Sequence, residues 1–195
     1  KTDILRKVAL FCNVAEECVV QSVDVPTIYE VPLMLQRQGM DVAVLKKVGL
    51  EVGETPDLKQ WKDFLNKKTA ATETVKIGLV GKYVELQDAY KSIDESLLHA
   101  AIYNDRKLDL HLFHSEKLTD ENAAEQLADM DGLIIAPGFG QRGIEGKFSA
   151  IKYARENNKP LFGICLGMQC MVIEFARNVL GYADANSTEM EPNTP

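Results

Sequence analysis

The chain contains no run of 18 or more apolar residues, so it offers no candidate membrane-spanning helix. Residues Lys1 to Asn13 lack the long apolar stretch and small-residue cleavage site of a secretory signal. Cysteine is sparse, and its four occurrences, Cys12, Cys18, Cys165 and Cys170, make no CxxC pair and no compact framework. No metal site is expected from them, and a reduced, cytoplasmic setting is the expectation. Positive charge is also in short supply: 22 Lys and Arg face 29 Asp and Glu, a net charge of −7. That balance argues against nucleic acid as the main partner. Hydrophobic residues at 46% and charged residues at 26% are ordinary for a globular chain, which sets aside disorder and fibres.

What is present falls into two rhythms. Before residue 53, Val8 to Cys12 predicts a buried strand and Cys18 to Val23 a second β-favouring run. Asp24-Val25-Pro26 predicts a helix start, with Ile28, Val31 and Leu35 at helical spacing, Pro32 as a kink and Gly39 as the stop. Residues 53–74 are polar, with an amphipathic helix around Leu58 to Leu65, and predict an interdomain linker. From Val75 the pattern changes. Strands are predicted over Val75–Val80, Leu108–Phe113, Gly132–Ala136 and Leu161–Ile164. Helices are predicted over Asp88–Tyr103, Thr119–Ala128, Glu145–Asn157 and Met168–Val179. Such alternation means an α/β fold, an open parallel sheet with helices on both faces.

The sharpest chemical signal is Gly163-Ile164-Cys165-Leu166-Gly167, placed where an apolar strand gives way to a helix. A nucleophile on so tight a turn needs small neighbours. The helix that follows favours a thiolate at its N-terminus. The Leu166 amide is then free to face a developing oxyanion. Taken alone, a GxCxG stretch is as readily a buried cysteine between packing glycines; the strand–turn–helix setting favours chemistry. Cys170, inside the helix, reads as core. A second loop, Ala136-Pro137-Gly138-Phe139-Gly140-Gln141-Arg142-Gly143, also follows an apolar strand, and its glycines permit close backbone approach. Gly138 is the candidate for the other oxyanion amide. Gly78-Leu79-Val80-Gly81-Lys82-Tyr83 is not a phosphate loop, since two residues instead of four separate its glycines and tyrosine follows the lysine.

These residues carry a resemblance. Phe162 to Gln169, FGICLGMQ, is similar to the nucleophile motif of the class I glutamine amidotransferases. Lys7 to Val14, Asp24 to Leu35, Val80 to Ala100 and Arg177 to Met190 resemble the CTP synthase family in particular. The resemblance implies a flavodoxin-like or Rossmann-like amidotransferase domain over 75–195. Residues 1–52 would be the C-terminal part of a synthetase domain, itself α/β, joined by the linker 53–74. It implies that ammonia from glutamine, released through a Cys165 thioester, aminates UTP to CTP at the expense of ATP with Mg2+. GTP enters as allosteric activator and CTP as feedback inhibitor, in a cytoplasmic homotetramer. Gly138, Leu166, Gly167, Met168, Gln169 and Glu189 match glutamine-binding positions. Lys7 and Val25 match nucleotide-binding positions, and Phe139 is placed to stack on the GTP base.

The sequence departs from the family in two ways. The glycine loop reads Ala-Pro-Gly-Phe-Gly where the family has Pro-Gly-Gly-Phe-Gly, with Gly138 keeping the second glycine. The family's triad histidine and glutamate follow the cysteine, yet His99, His111 and His114 all precede Cys165. By themselves these 195 residues are therefore expected to hydrolyse glutamine barely or not at all. Two other readings are a different triad glutaminase, which would have no use for Lys7 to Leu35, and an amidotransferase-like module that binds without turnover.

Overall fold

The computed structural model describes residues 2–86 and 88–194. They divide into two units, Lys1–Thr69 and Ala70–Pro195.

In the first unit the chain forms α1 (Thr2–Cys12), α2 (Val31–Arg37), α3 (Met40–Lys47) and α4 (Lys59–Ala70), with short 3-10 turns at Glu16–Cys18 and Ile28–Glu30. The strand expected at Val8–Cys12 is instead the second half of α1. Ile4, Leu5, Val8, Ala9 and Cys12 recur at intervals that a helix winds onto one face, although Ile4, Val8 and Cys12 stay exposed. Ala9 is buried while Leu10 and Phe11 are exposed, and the Asp3–Lys7 pair at 3.2 Å spans one helical turn. Cys18–Val23 does not become a strand either. The side-chain amide of Gln38 accepts from the Gln21 N–H and donates to its carbonyl, both at 2.8 Å, in place of a neighbouring strand. Pro32 lies in the first turn of α2, where its missing N–H costs nothing, so it starts the helix and does not kink it. Gly39, at φ +74°, ends α2 as expected, but the chain turns directly into α3, a helix the pattern did not reveal. α4 runs longer than the helix expected within 53–74. Its Trp61 indole donates to the Tyr29 carbonyl at 2.7 Å, and Phe64 meets the Tyr29 ring edge-on at 5.3 Å.

The second unit follows the expected alternation: β1 (Glu73–Gly81), α5 (Lys91–Tyr103), β2 (Arg106–His114), α6 (Ala123–Leu127), β3 (Gly132–Ile135), α7 (Ile144–Glu156), β4 (Leu161–Gly163) and α8 (Leu166–Asn178). All pairings are parallel, in the order β2-β1-β3-β4. Strand alternation sorts the core onto two faces. Leu133 and Ile135 pack with Leu127, Ala150, Ile151 and Ile173 of α6, α7 and α8. Ile134 and Leu79 turn the other way, toward Tyr90, Ile93 and Leu110. This is a flavodoxin-like α/β sheet with helices on both sides. Strand order reverses between β1 and β3, and in such sheets ligands bind beyond the carboxyl ends of the strands near that reversal. Three segments leave those ends: Lys82 after β1, Ala136–Gly143 after β3, and Ile164–Cys165 after β4.

Candidate active site

Cys165 is exposed and stands at the N-cap of α8 with φ 52° and ψ −110°, a backbone conformation that side chains with a Cβ rarely adopt. The two glycines of the motif explain how it is held. A Cβ on Gly163 would lie 2.6 Å from the Gly167 carbonyl carbon, and one on Gly167 would lie 2.1 Å from the Ile135 carbonyl oxygen. The turn therefore closes only with bare backbone at both places. The Ile164 N–H then bonds the Ile135 carbonyl at 3.0 Å and the Gly167 N–H bonds the Ile164 carbonyl at 2.8 Å. The thiol is left at the surface over the first turn of a 13-residue helix, whose free amides and dipole favour negative charge.

Cys170 is the opposite case. It is fully buried in the core, and burial pushes its thiol up to about 11, with the nearby Lys147 charge pulling it back in part. The two cysteines share a helix end and differ in chemistry because only one faces solvent.

The glycine loop meets the elbow at Gly138. The position a Cβ would take there lies 3.5 Å from the Lys82 side chain, 3.6 Å from that of Leu166 and 3.9 Å from the Lys147 Nζ. Phe139, the next residue, is 79% exposed. Arg142 lies over the Tyr83 ring at 5.3 Å and pairs with Glu116.

Glu189 lies beyond α8, in a stretch without regular structure that side chains fasten down. Arg177 donates to the Ala185 carbonyl at 2.7 Å. Gln141 of the glycine loop donates to the Met190 carbonyl at 2.5 Å. The Met190 side chain is buried in the main core. Ser187 donates to Gln169 Oε1 at 2.6 Å, and Gln169 Nε2 donates to Glu189 Oε2 at 3.0 Å. The carboxylate, which can only accept, fixes which end of the Gln169 amide faces it, and the serine hydroxyl satisfies the other end.

The structure thus gathers Cys165, Gly138, Leu166, Gly167, Gln169 and Glu189 in the second unit, with Met168 exposed on the first turn of α8. Lys7 and Val25 belong to the first unit. Lys7 is exposed and pairs with Asp3 at 3.2 Å; Val25 is half-buried. The histidines stay apart from the elbow: His99 on α5, His111 on β2 beside Asp109 at 3.1 Å, and His114 at the end of β2 beside Glu85 at 3.5 Å. Among the described residues no group of three or more His, Cys, Asp or Glu is placed to hold a metal ion. Sequence reasoning missed Ser187, Lys82 and Lys147. The one available signal was Gly146 inside a helical pattern, since a mid-helix glycine usually marks close packing.

Comparison with known proteins places this geometry. The family model for glutamine amidotransferase class-I matches residues 85–194, and that for the CTP synthase N-terminus matches residues 1–50. A CTP synthase of Porphyromonas gingivalis is 71% identical over 191 residues, 98% of this chain and 35% of that protein. A CTP synthase of Bacteroides fragilis is 66% identical over 193 residues, 99% of this chain and 36% of that protein. This chain therefore spans little more than a third of the length of these relatives. A solved structure described as the glutaminase domain of Trypanosoma brucei CTPS with bound acivicin matches with a TM-score of 0.58 and 42% identity, over 62% of this chain and 47% of that one.

Proposed function

We propose, from the premise that this chain belongs to the class I glutamine amidotransferases, that it supplies the glutamine-hydrolysing nucleophile of a CTP synthase. The Cys165 sulfur attacks the side-chain carboxamide carbon of glutamine. Ammonia leaves, a thioester forms on the sulfur, and water cleaves it to glutamate. The Gly138 and Leu166 amides take the charge that gathers on the carbonyl oxygen. Gly167, Met168 and Gln169 line the substrate, and Glu189 accepts its α-ammonium. The released ammonia displaces phosphate from the ATP-activated 4-position of UTP. The observation that carries this reading is an exposed thiol on a strained helix N-cap with the glycine loop packed against the next residue. The match of residues 1–50 to the CTP synthase N-terminus favours this family over other triad glutaminases.

The finer parts of the reading follow. Residues 1–52 close a synthetase domain in which Lys7 and Val25 touch nucleotide, 53–74 link the domains, and 75–195 open the glutaminase domain. ATP and Mg2+ serve the synthetase chemistry; no described residue cluster fits the metal, and none is assigned to it. GTP activates, CTP inhibits, and the enzyme works as a cytoplasmic homotetramer.

Acivicin, the ligand of the Trypanosoma brucei structure, tests the nucleophile in the intact protein. A mass spectrum after incubation is expected to place the adduct on Cys165 and leave Cys12, Cys18 and Cys170 unmodified. An adduct on another cysteine with Cys165 intact refutes the assignment. For the activator, Phe139→Ala is expected to raise the GTP concentration needed for half-activation about tenfold, the scale of one lost base–aromatic stack. An unchanged activation curve removes Phe139 from that role.

A further inference from the structure

Two lysines lie where lysines seldom do. Lys147, on α7, is 1% exposed, and Lys82, just after β1, is 5% exposed. Among the described residues neither meets a carboxylate. The Lys147 Nζ donates to the Ala136 carbonyl at 2.7 Å, and the Lys82 Nζ donates to the Phe139 carbonyl. Burial depresses the Lys147 ammonium, the Lys82 charge depresses it further, and the thiols of Cys170 and Cys165 act to raise it. The Lys82 Nζ also lies 5.6 Å from the Tyr83 ring centroid, but a buried cation without a carboxylate is costly, and two near one another cost more. A neutral donor would satisfy a loop carbonyl at less expense, so bonding alone does not account for the charge.

The placement does. The carbonyls the lysines hold, Ala136 and Phe139, bracket Gly138 in the chain, and the Lys147 Nζ is 3.9 Å from where a Gly138 Cβ would stand. A loop of proline and glycines has little side-chain bulk to fix it. Here its flanking peptides are pinned from inside, from two different elements. We propose that Lys147 is a positioning residue: its ammonium, together with that of Lys82, locks the loop so that the Gly138 amide stays aimed at the carbon attacked by Cys165. The same two ammonium groups are themselves buried beneath the loop, where a fixed positive charge acts more strongly on a developing oxyanion than it would in water. This rests on the reading of Cys165 and Gly138 given above.

The test is Lys147→Met in the intact enzyme, which keeps the unbranched apolar stem as far as the ε position and removes the ammonium with its bond to the Ala136 carbonyl. The glutaminase kcat is expected to fall on the order of 100-fold, as for loss of an oxyanion donor, with the glutamine KM and the melting temperature little changed. A kcat within about twofold of the parent overturns the proposal. If Lys147→Met does not fold, Lys82→Met decides: a folded variant with the same kcat loss supports the proposal, and one with parental kcat overturns it. Failure of the underlying reading would look different. Cys165→Ala would then hydrolyse glutamine as well as the parent, whatever the lysine variants do.

Discussion

Cys165→Ala is expected to remove glutamine-dependent amination of UTP by a factor on the order of 10⁴ or more, as loss of a covalent nucleophile does, while amination from added ammonia is kept. The asymmetry follows from the order of steps. Ammonia supplied from solution bypasses the thioester, so nothing downstream requires the sulfur. Alanine is the informative replacement because it carries the same backbone burden as cysteine at φ 52° and ψ −110°. Glycine would relax that conformation and let the elbow move, mixing a chemical loss with a structural one. The N-terminus of α8 is expected to keep its place in the alanine variant, since the contacts of Gly163 and Gly167 with their surroundings do not involve the thiol. Steady-state rates with glutamine and with ammonia, taken on the same preparation, separate the outcomes. Equal loss of both activities would mean that the cysteine supports the fold or the synthetase chemistry and is not the glutamine nucleophile.

The second unit was legible because its signals are local. Gly132–Ala136 is apolar without alternation and Val75–Val80 is so apart from Lys76, as strands buried on both faces tend to be, and the intervening segments carry helical spacing. The elbow was legible for the same reason: Gly163 and Gly167 stand where any Cβ would strike backbone, so the steric demand is written as a residue type. The first unit was harder. Val8–Cys12 is five apolar residues that fit a strand or a helix equally well, and the deciding contacts lie outside the run. Lys147 was invisible in another way. In Glu145-Gly146-Lys147 it reads as a solvated helix face, yet a Cβ on Gly146 would lie 1.7 Å from the Ser115 carbonyl oxygen. α7 therefore meets that backbone directly and carries the lysine into the interior. Burial of a single polar side chain depends on which backbones touch; the neighbouring Gly146 signals a close approach but not what it approaches.

Gly167→Ala exposes the same logic in a measurable way. Helix propensity alone favours the change, since alanine in a helix is preferred to glycine by about 1 kcal/mol. The added methyl would instead lie 2.1 Å from the Ile135 oxygen, 2.8 Å from its carbonyl carbon and 3.1 Å from its Cβ. Two of the three atoms are backbone of β3, which is paired to β1 and β4 and has no room to withdraw. The first turn of α8 must shift away from the sheet by about 1 Å to reach ordinary contact. Overpacking of this kind costs about 3 kcal/mol, which for a domain of this size lowers the melting temperature by about 10 °C. The same shift carries Cys165 and the Leu166 amide out of line with the Gly138 loop, and misplacement by about 1 Å costs catalysis on the order of 100-fold. Thermal unfolding and glutaminase kcat are therefore expected to fall together. A variant that melts at the parental temperature and hydrolyses glutamine at the parental rate would show that β3 and α8 do not pack as closely as the elbow requires, and the placement of the nucleophile would fail with it.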